Sequence, residues 1–342
     1  MSGDYTKRLA LKLNKKLSKN RKLIGTLKAT QILVKSTRLR WLIKHGCNVT
    51  KLYGVIPAKP GRIFKDFMDW VSDERRKGDV DIKYFVIGEG SKIVGNSAFG
   101  RTGMDKNKHK KVKYCDEIQF NRAKNNYFFY DAEECNGIYE VIKRPKTVKQ
   151  NMPIQIAFSV YDDSKLRMLQ FYYDCVDKYL NRSDFQYMEM DTDSAYMALT
   201  DDFENLIKPD LRAEFQKDKN NWFPRNDSKA NASYDIRKPG LFKIEFQGDG
   251  MVALCSKSYF VWGAENKMSC KGLQQNKNMD VLNKEKYLQC LFNEEQIKGN
   301  NKGLRFADKL IRGYEQEKIG LSPMYTKGVV MDDGIHIRPL DI

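Results

Sequence analysis

Two carboxylates separated by a single residue, Asp191 and Asp193, lie between strand-forming runs in Phe185-Gln-Tyr-Met-Glu-Met-Asp-Thr-Asp-Ser-Ala-Tyr-Met-Ala-Leu199. In an extended chain, residues two apart point to the same face, so this pair is expected to converge on one side. Converging carboxylates repel unless a cation lies between them. A hard divalent ion such as Mg2+ takes oxygen ligands, usually one or two carboxylates completed by water and substrate phosphates, and that chemistry belongs to phosphoryl transfer. Asp-Thr-Asp-Ser is equally common turn composition, because these side chains bond their own backbone. At this level both readings stand.

A second group of residues lies upstream, in Lys92-x-x-x-Asn96-Ser97-x-Phe99-Gly100. On a helix, positions three and four apart share a face. Lys92, Asn96, Phe99 and Gly100 then line one stripe, with a cation for a triphosphate, an amide, a ring for stacking and a small residue that permits close approach. The competing reading is a helix with Phe99 in the core and Lys92 in solvent. A third group, Lys257-Ser258-Tyr259, reads as strand, with Lys257 and Tyr259 on one face and able to touch a nucleic-acid backbone.

The elements that must position these residues are legible in outline. From Lys7 to Lys28 there are nine Lys and Arg residues, and Leu9, Leu13 and Leu17 recur at four-residue spacing, which predicts a basic amphipathic helix. A second helix is expected over Thr30 to His45, stopped by Gly46. Val49 to Ile56 reads as strand. Phe64 to Arg76 and a segment from Ile82 through Gly100 predict two antiparallel helices in a projecting hairpin, the second bent or broken near Gly88 and Gly90. Residues 112 to 160 look strand-rich, and Leu166, Leu169, Tyr173, Val176 and Leu180 then form the apolar stripe of a long helix. The carboxylate hairpin follows. Lys219 to Ser233 reads as an exposed polar loop, Gly240 to Phe246 and Met251 to Trp262 as strands, and Lys284 to Gln316 as a helical, basic region. The sum is an α+β sheet-and-helix arrangement.

Charge narrows the partner. Lys and Arg number 61 against 44 Asp and Glu, a net charge of +17, which favours a polyanion through counterion release from phosphates. The basic residues alternate with buried-type residues along the whole chain, without a detached polybasic tail, so nucleic acid ranks above a membrane surface. Seven cysteines occur singly at 47, 115, 135, 175, 255, 270 and 290, and His45, His109 and His336 are far apart. Neither set has zinc-site spacing or the look of a disulfide framework, which points to an intracellular, reducing compartment. No run of 18 apolar residues or secretory signal core is present, so no membrane partner is expected.

In this order and spacing, the three chemical segments resemble motif B, motif C and the Lys-x-Tyr motif of family B DNA polymerases. The stretches Asn96-Ser-Ala-Phe-Gly-Arg-Thr-Gly103, Pro239-Gly-Leu-Phe-Lys243 and Cys255-Ser-Lys-Ser-Tyr259 look most like its viral, organellar and transposon branch, which includes protein-primed enzymes. The resemblance runs from about Leu23 to the carboxyl end. It implies a right-hand polymerase architecture: a basic helical lead-in and palm edge at 1–61, helical-hairpin fingers at 62–111, an antiparallel-sheet palm at 112–262 and a small thumb at 263–342. It implies Asp191 and Asp193 as the catalytic, metal-bearing carboxylates for two Mg2+ ions, and Lys92, Asn96, Phe99 and Arg76 (or its neighbour Arg75) as residues contacting a dNTP. Lys257 and Tyr259 are then the residues that steady the primer end, and Lys271, in Cys270-Lys-Gly272, contacts duplex backbone. The implied partners are a DNA template-primer and, in protein-primed members, a terminal protein.

The chain also departs from the family pattern. The upstream segment Asp-x-x-Ser-Leu-Tyr-Pro, which supplies a further catalytic Asp, is not found; Asp4-Tyr5 continues as Thr-Lys-Arg. Upstream of the fingers segment the Asp-x-Glu motif of a proofreading exonuclease, with its flanking strands, is also not found, so the chain reads as the carboxyl-terminal portion of a longer polymerase. Phe99 stands where Tyr is usual, and Glu189 where Tyr often precedes the metal hairpin. If the side-chain alternation holds, Glu189 shares a face with Asp191 and Asp193 as a third carboxylate. The alternative expectation is a catalytically inactive, DNA-binding remnant of such a polymerase.

Overall fold

The computed structural model describes residues 3–17, 31–59, 61–106, 110–135, 137–307 and 310–338. It is a mixed α+β structure with small antiparallel sheets. Helix α1 (Asp4–Lys12) buries Thr6, Leu9 and Ala10. It is tied to the far end of the chain: Thr6 Oγ1 donates to the Tyr325 carbonyl at 3.1 Å, and Arg8 and Lys12 both reach Glu294. The part of the expected Lys7–Lys28 helix beyond residue 17 lies largely outside the described residues. Helix α2 (Ser36–Lys44) ends at Gly46, whose φ of +87° suits the expected glycine stop. The segment expected as a strand at Val49 to Ile56 is not one; Val49, Leu52, Tyr53, Val55 and Ile56 are all exposed. Alternating apolar residues form a strand only where another strand takes up their backbone groups.

Helices α3 (Lys65–Val80) and α4 (Phe85–Thr102) form the expected antiparallel hairpin, joined by a single 3-10 turn at Ile82–Tyr84. The break expected at Gly88 and Gly90 does not occur. Gly88, Ser91 and Gly95 are the buried face of α4. A Cβ on Gly88 would lie 3.3 Å from the Glu74 carbonyl, and one on Gly78 would lie 3.0 Å from that of Tyr84. Here glycine lets two helix backbones approach closely, and that packing offsets its weak helix propensity.

Strands β1 (Lys111–Cys115), β2 (Phe129–Cys135) and β3 (Ile138–Lys143) form a sheet in the order β1-β3-β2, backed by α5 (Glu117–Lys124), where Phe120 stacks on Tyr139 at 4.2 Å. The strand-rich region ends there. Helix α6 (Ile154–Gln170) starts well before Leu166 and continues through a π-helical stretch, Phe171–Val176, into α7 (Asp177–Tyr179). The wider π turn shifts the apolar stripe. Met168, Phe171, Cys175, Val176, Tyr179 and Leu180 are buried, while Tyr173, expected inside, is 47% exposed.

The hairpin of β4 (Phe185–Asp191) and β5 (Ser194–Leu199) packs on this helical run together with α8 (Arg212–Trp222), around Phe171, Tyr179 and Phe215. The segment expected as a polar loop after Lys219 instead contains the end of α8 and the short α9 (Lys229–Asp235). What stabilises it is a half-buried pair: Asp235 is 1% exposed and accepts from the partly exposed Arg225, Nε at 2.7 Å. Gly240 to Phe246 is irregular rather than strand, and Phe242 stacks on Phe171 at 3.8 Å.

A second core is built by β6 (Gly250–Cys255), β7 (Ser258–Trp262), β8 (Lys267–Ser269) and α10 (Lys284–Phe292), around Phe260, Leu282, Tyr287 and Cys290. The helical reading of Lys284 to Gln316 holds only to Phe292. Beyond it come the paired strands β9 (Ile297–Ala307) and β10 (Leu310–Leu321). Gly299, Asn300, Asn301, Gly303 and Gly313 are poor helix formers, and the cross-strand pairs Lys298 with Glu317 and Lys302 with Glu315 suit the hairpin. The short pair β11 (Val329–Val330) and β12 (Ile337–Arg338) closes the described chain. No helix among the described residues is long and apolar enough to cross a membrane, and the described cysteine thiols are free.

Candidate nucleotidyl-transfer site

The site lies on the seam between the two cores, where the turns of two hairpins meet. The β4–β5 turn is tight: Asp191 pairs with Ser194, and the Asp193 N–H donates to the Asp191 carbonyl at 2.6 Å. Thr192, between them, has φ of +55°, a costly conformation for a β-branched residue. The alternation expected from an extended chain therefore stops at Asp191. Asp191 is at the end of β4 and partly buried, whereas Asp193 is exposed in the turn, with no hydrogen-bond or ion-pair partner for its carboxylate among the described residues.

The β6–β7 turn faces it. Lys257 is not on a strand, as expected, but in this turn with φ of +66°, and its Nζ stands 3.6 Å from Asp191 Oδ2. Ser256 Oγ donates to the Met190 carbonyl at 3.4 Å, and the Lys257 N–H donates to Glu189 Oε1 at 3.1 Å. Tyr259 is in β7, 6% exposed, and its hydroxyl is 3.1 Å from that of Tyr196 on β5. Adjacent residues of β7 thus serve opposite faces: Phe260 fills the second core, while Tyr259 turns towards β5.

Glu189 is buried between the turns. Burial pushes its carboxyl above the usual range, the nearby Asp191 adds to this, and the Lys257 N–H opposes it. Its Oε2 is buried without a hydrogen-bond partner. Burial and the Tyr259 hydroxyl likewise push the Tyr196 phenol well up. Tyr196 had no signal in the sequence beyond its place two residues after the Ser of Asp-Thr-Asp-Ser; only the meeting of the hairpins shows its partner.

Lys92, Asn96 and Phe99 lie on α4 beside the face that packs on α3, with Lys92 in solvent and Phe99 partly packed, an arrangement common to both readings of the stripe. Lys92 and Asn96 are exposed, and Lys92 Nζ is a loose 3.5 Å from Glu89 Oε2. Phe99 is half-buried, edge-on to Tyr161 of α6 at 5.3 Å, which anchors the base of the hairpin. Helix α6 supports this stripe, and its π-helical continuation, through Phe171 and Tyr172, supports the β4–β5 hairpin. Arg76 is engaged elsewhere, with Asp73 at 2.7 Å, the Tyr234 carbonyl at 3.3 Å and the Tyr234 ring at 4.1 Å. Arg75 has a buried Nε without a partner, and burial with Arg237 nearby lowers its pKa. Lys271 is exposed beside Gly272, whose φ is +116°.

Asp191 and Asp193 are hard oxygen donors of the type that Mg2+ accepts, two carboxylates being enough where water and phosphate complete the shell. Among the described residues no group of three or more His, Cys, Asp or Glu is gathered to hold a metal. The donor chemistry fits a site shared with substrate phosphates rather than an all-protein cage. Comparison with protein-family models, with curated proteins and with solved structures finds no match.

Proposed function

We propose that this chain carries nucleotidyl-transfer machinery of a DNA-directed DNA polymerase of the family B type, adding dNTPs to a primer 3′-hydroxyl in DNA replication. The observation that carries the reading is the approach of Lys257 to Asp191 at 3.6 Å. Two segments singled out separately in the sequence meet at their turns. In this reading the α3–α4 hairpin is the fingers, the β4–β5 hairpin with α6 belongs to the palm, and the chain beyond Trp262 is the thumb.

Asp191 and Asp193 would hold Mg2+, which when bound supplies charge neutralisation for the triphosphate and a more acidic 3′-hydroxyl. Lys92 attracts the triphosphate, and Asn96 with Phe99 holds the nucleotide against α4. Lys257 adds a cation for the primer-terminal phosphate. Tyr259, with its ring packed and its hydroxyl on Tyr196, shapes the wall beneath that terminus rather than reaching into solvent. Lys271 lies exposed for a duplex phosphate. The chain thereby supplies position and positive charge, the main protein contributions to phosphoryl transfer.

One observation favours a second reading, a DNA-binding remnant without turnover: the Asp191 carboxylate already has an ammonium partner. Primer extension with Mg2+ and dNTPs, run beside salt-dependent binding of primed DNA, separates the two. Extension that disappears in Asp193→Ala supports the polymerase, and binding without extension supports the remnant. Neither binding nor extension sinks both.

A further inference from the structure

The two oxygens of Glu189 have different surroundings. Oε1 accepts the Lys257 backbone N–H at 3.1 Å, while Oε2 has no partner, and the residue is 8% exposed. Burying a carboxyl in this way is unfavourable, so its retention calls for a role. The residue it holds is also in a costly conformation. A left-handed backbone at Lys257, φ +66°, persists only where the surroundings over-determine it. A second bond, from Ser256 Oγ to the Met190 carbonyl at 3.4 Å, helps fasten the same turn to β4. The side chain leaving that turn ends beside Asp191.

We infer that Glu189 is a positioning residue: through Oε1 it fixes the Lys257 turn on β4 and so sets where the Lys257 ammonium stands relative to Asp191. Its structural part is independent of the nucleotidyl-transfer reading; its consequence for turnover rests on that reading. The role needs an acceptor of this length rather than a charge. Glutamine can present an amide oxygen to the same N–H. Leucine, of similar bulk, cannot, and it leaves the Lys257 N–H unpaired.

The test compares Glu189→Leu and Glu189→Gln in the full chain, by hydrogen exchange at the Lys257 amide and by primer-extension kinetics. In Glu189→Leu, exchange is expected to rise about tenfold or more and kcat to fall by about the same factor, with the dNTP KM within about twofold because α4 is untouched. Glu189→Gln is expected to stay within about twofold of the parent in all three quantities. Unchanged exchange in Glu189→Leu overturns the inference. So does a Gln variant that keeps the Lys257 amide protected yet loses extension as Leu does, since the carboxylate itself then matters as a cation ligand. If the parent chain does not extend primers, that outcome bears on the polymerase reading and not on this inference, and the exchange comparison alone decides the role of Glu189.

Discussion

Lys257 and Asp191 reach each other from the turns of separate hairpins, Nζ to Oδ2 at 3.6 Å, with their side chains 60% and 28% exposed. So exposed a pair contributes roughly 0–1 kcal/mol to stability. Its value lies in placing a cation beside a carboxylate. Lys257→Ala is therefore expected to leave thermal stability nearly unchanged and to weaken binding of primed DNA. The slope of log affinity against log salt should fall by about one, as for loss of a single phosphate contact. A slope equal to that of the parent would place Lys257 away from the DNA backbone.

Asp193 separates structural from chemical roles most cleanly. Its carboxylate is exposed in the turn, and Asp193 enters the turn's hydrogen bonding through its backbone N–H. Asp193→Ala is expected to change stability by no more than about 0.5 kcal/mol. Extension should fall by about 100-fold or more, because a metal carboxylate supports several kcal/mol of transition-state charge. Calorimetry and single-turnover extension on the same preparation check both halves. A loss of activity that tracks a loss of folding would remove Asp193 from the chemistry.

What the sequence showed of this site was residue type and order; what it lacked was the turns. Period-two alternation predicts a common face for Asp191 and Asp193, and for Lys257 and Tyr259. The positive φ of Thr192 and of Lys257 breaks the alternation at both places. Nothing in the residue types announces it, since Thr and Lys rarely adopt that conformation. The α3–α4 hairpin is legible in the sequence although α4 carries almost no amphipathic pattern, and its glycines, which propensity reads as weakness, serve close approach. The β4–β5 contact with Lys257 depends on a pairing distant in sequence, which local propensity does not encode.

Gly88 and Gly90 of α4 give opposite predictions. A Cβ on Gly90 would meet nothing within 4 Å, whereas one on Gly88 would meet the Glu74 carbonyl at 3.3 Å and Arg75 Cα at 3.5 Å. Gly90→Ala is expected to stabilise by up to about 1 kcal/mol, the helix-propensity difference. Gly88→Ala should gain nothing or lose stability, because backbone must shift to admit it. Urea unfolding of the two variants at equal slope decides it, and equal stabilisation by both would mean that α3 and α4 are not in backbone contact.

The tip of the α3–α4 hairpin is strapped to the end of α9 and the segment after it. Arg237 Nε donates to Asp79 Oδ2 at 2.6 Å, and the Arg76 guanidinium lies over the Tyr234 ring at 4.1 Å. The same segment is anchored to α6, where Arg167 Nε donates to the Gly240 carbonyl at 2.7 Å. A double-mutant cycle of Asp79→Ala and Arg237→Ala is expected to give a coupling of about 1 kcal/mol, at the upper end for a partly exposed bidentate pair. Amide exchange in residues 80–84 should rise in either single variant. Zero coupling would mean that the hairpin is held only at its base, by Phe99 on Tyr161.

Acid should loosen this strap from its other end. Hydrogen bonding from Arg225 holds the Asp235 carboxyl down at about 2, against 3.8 for an unperturbed Asp. A carboxyl with a depressed folded pKa binds its proton more weakly when folded, so its contribution is complete above the unfolded value and fades as pH falls from about 5 towards 2. For a carboxylate 1% exposed, the shift corresponds to something on the order of 2 kcal/mol. Asp235→Asn is therefore expected to be clearly less stable than the parent at pH 7, with the gap closing on acidification across that window. Because α9 carries Tyr234 against Arg76, the protection factors of amides 80–84, corrected for the intrinsic pH dependence of exchange, should fall over the same pH range in the parent and stay constant there in Asp235→Asn. A gap that stays constant down to pH 2 would show that Asp235 acts through its shape in the core and not through its charge on Arg225.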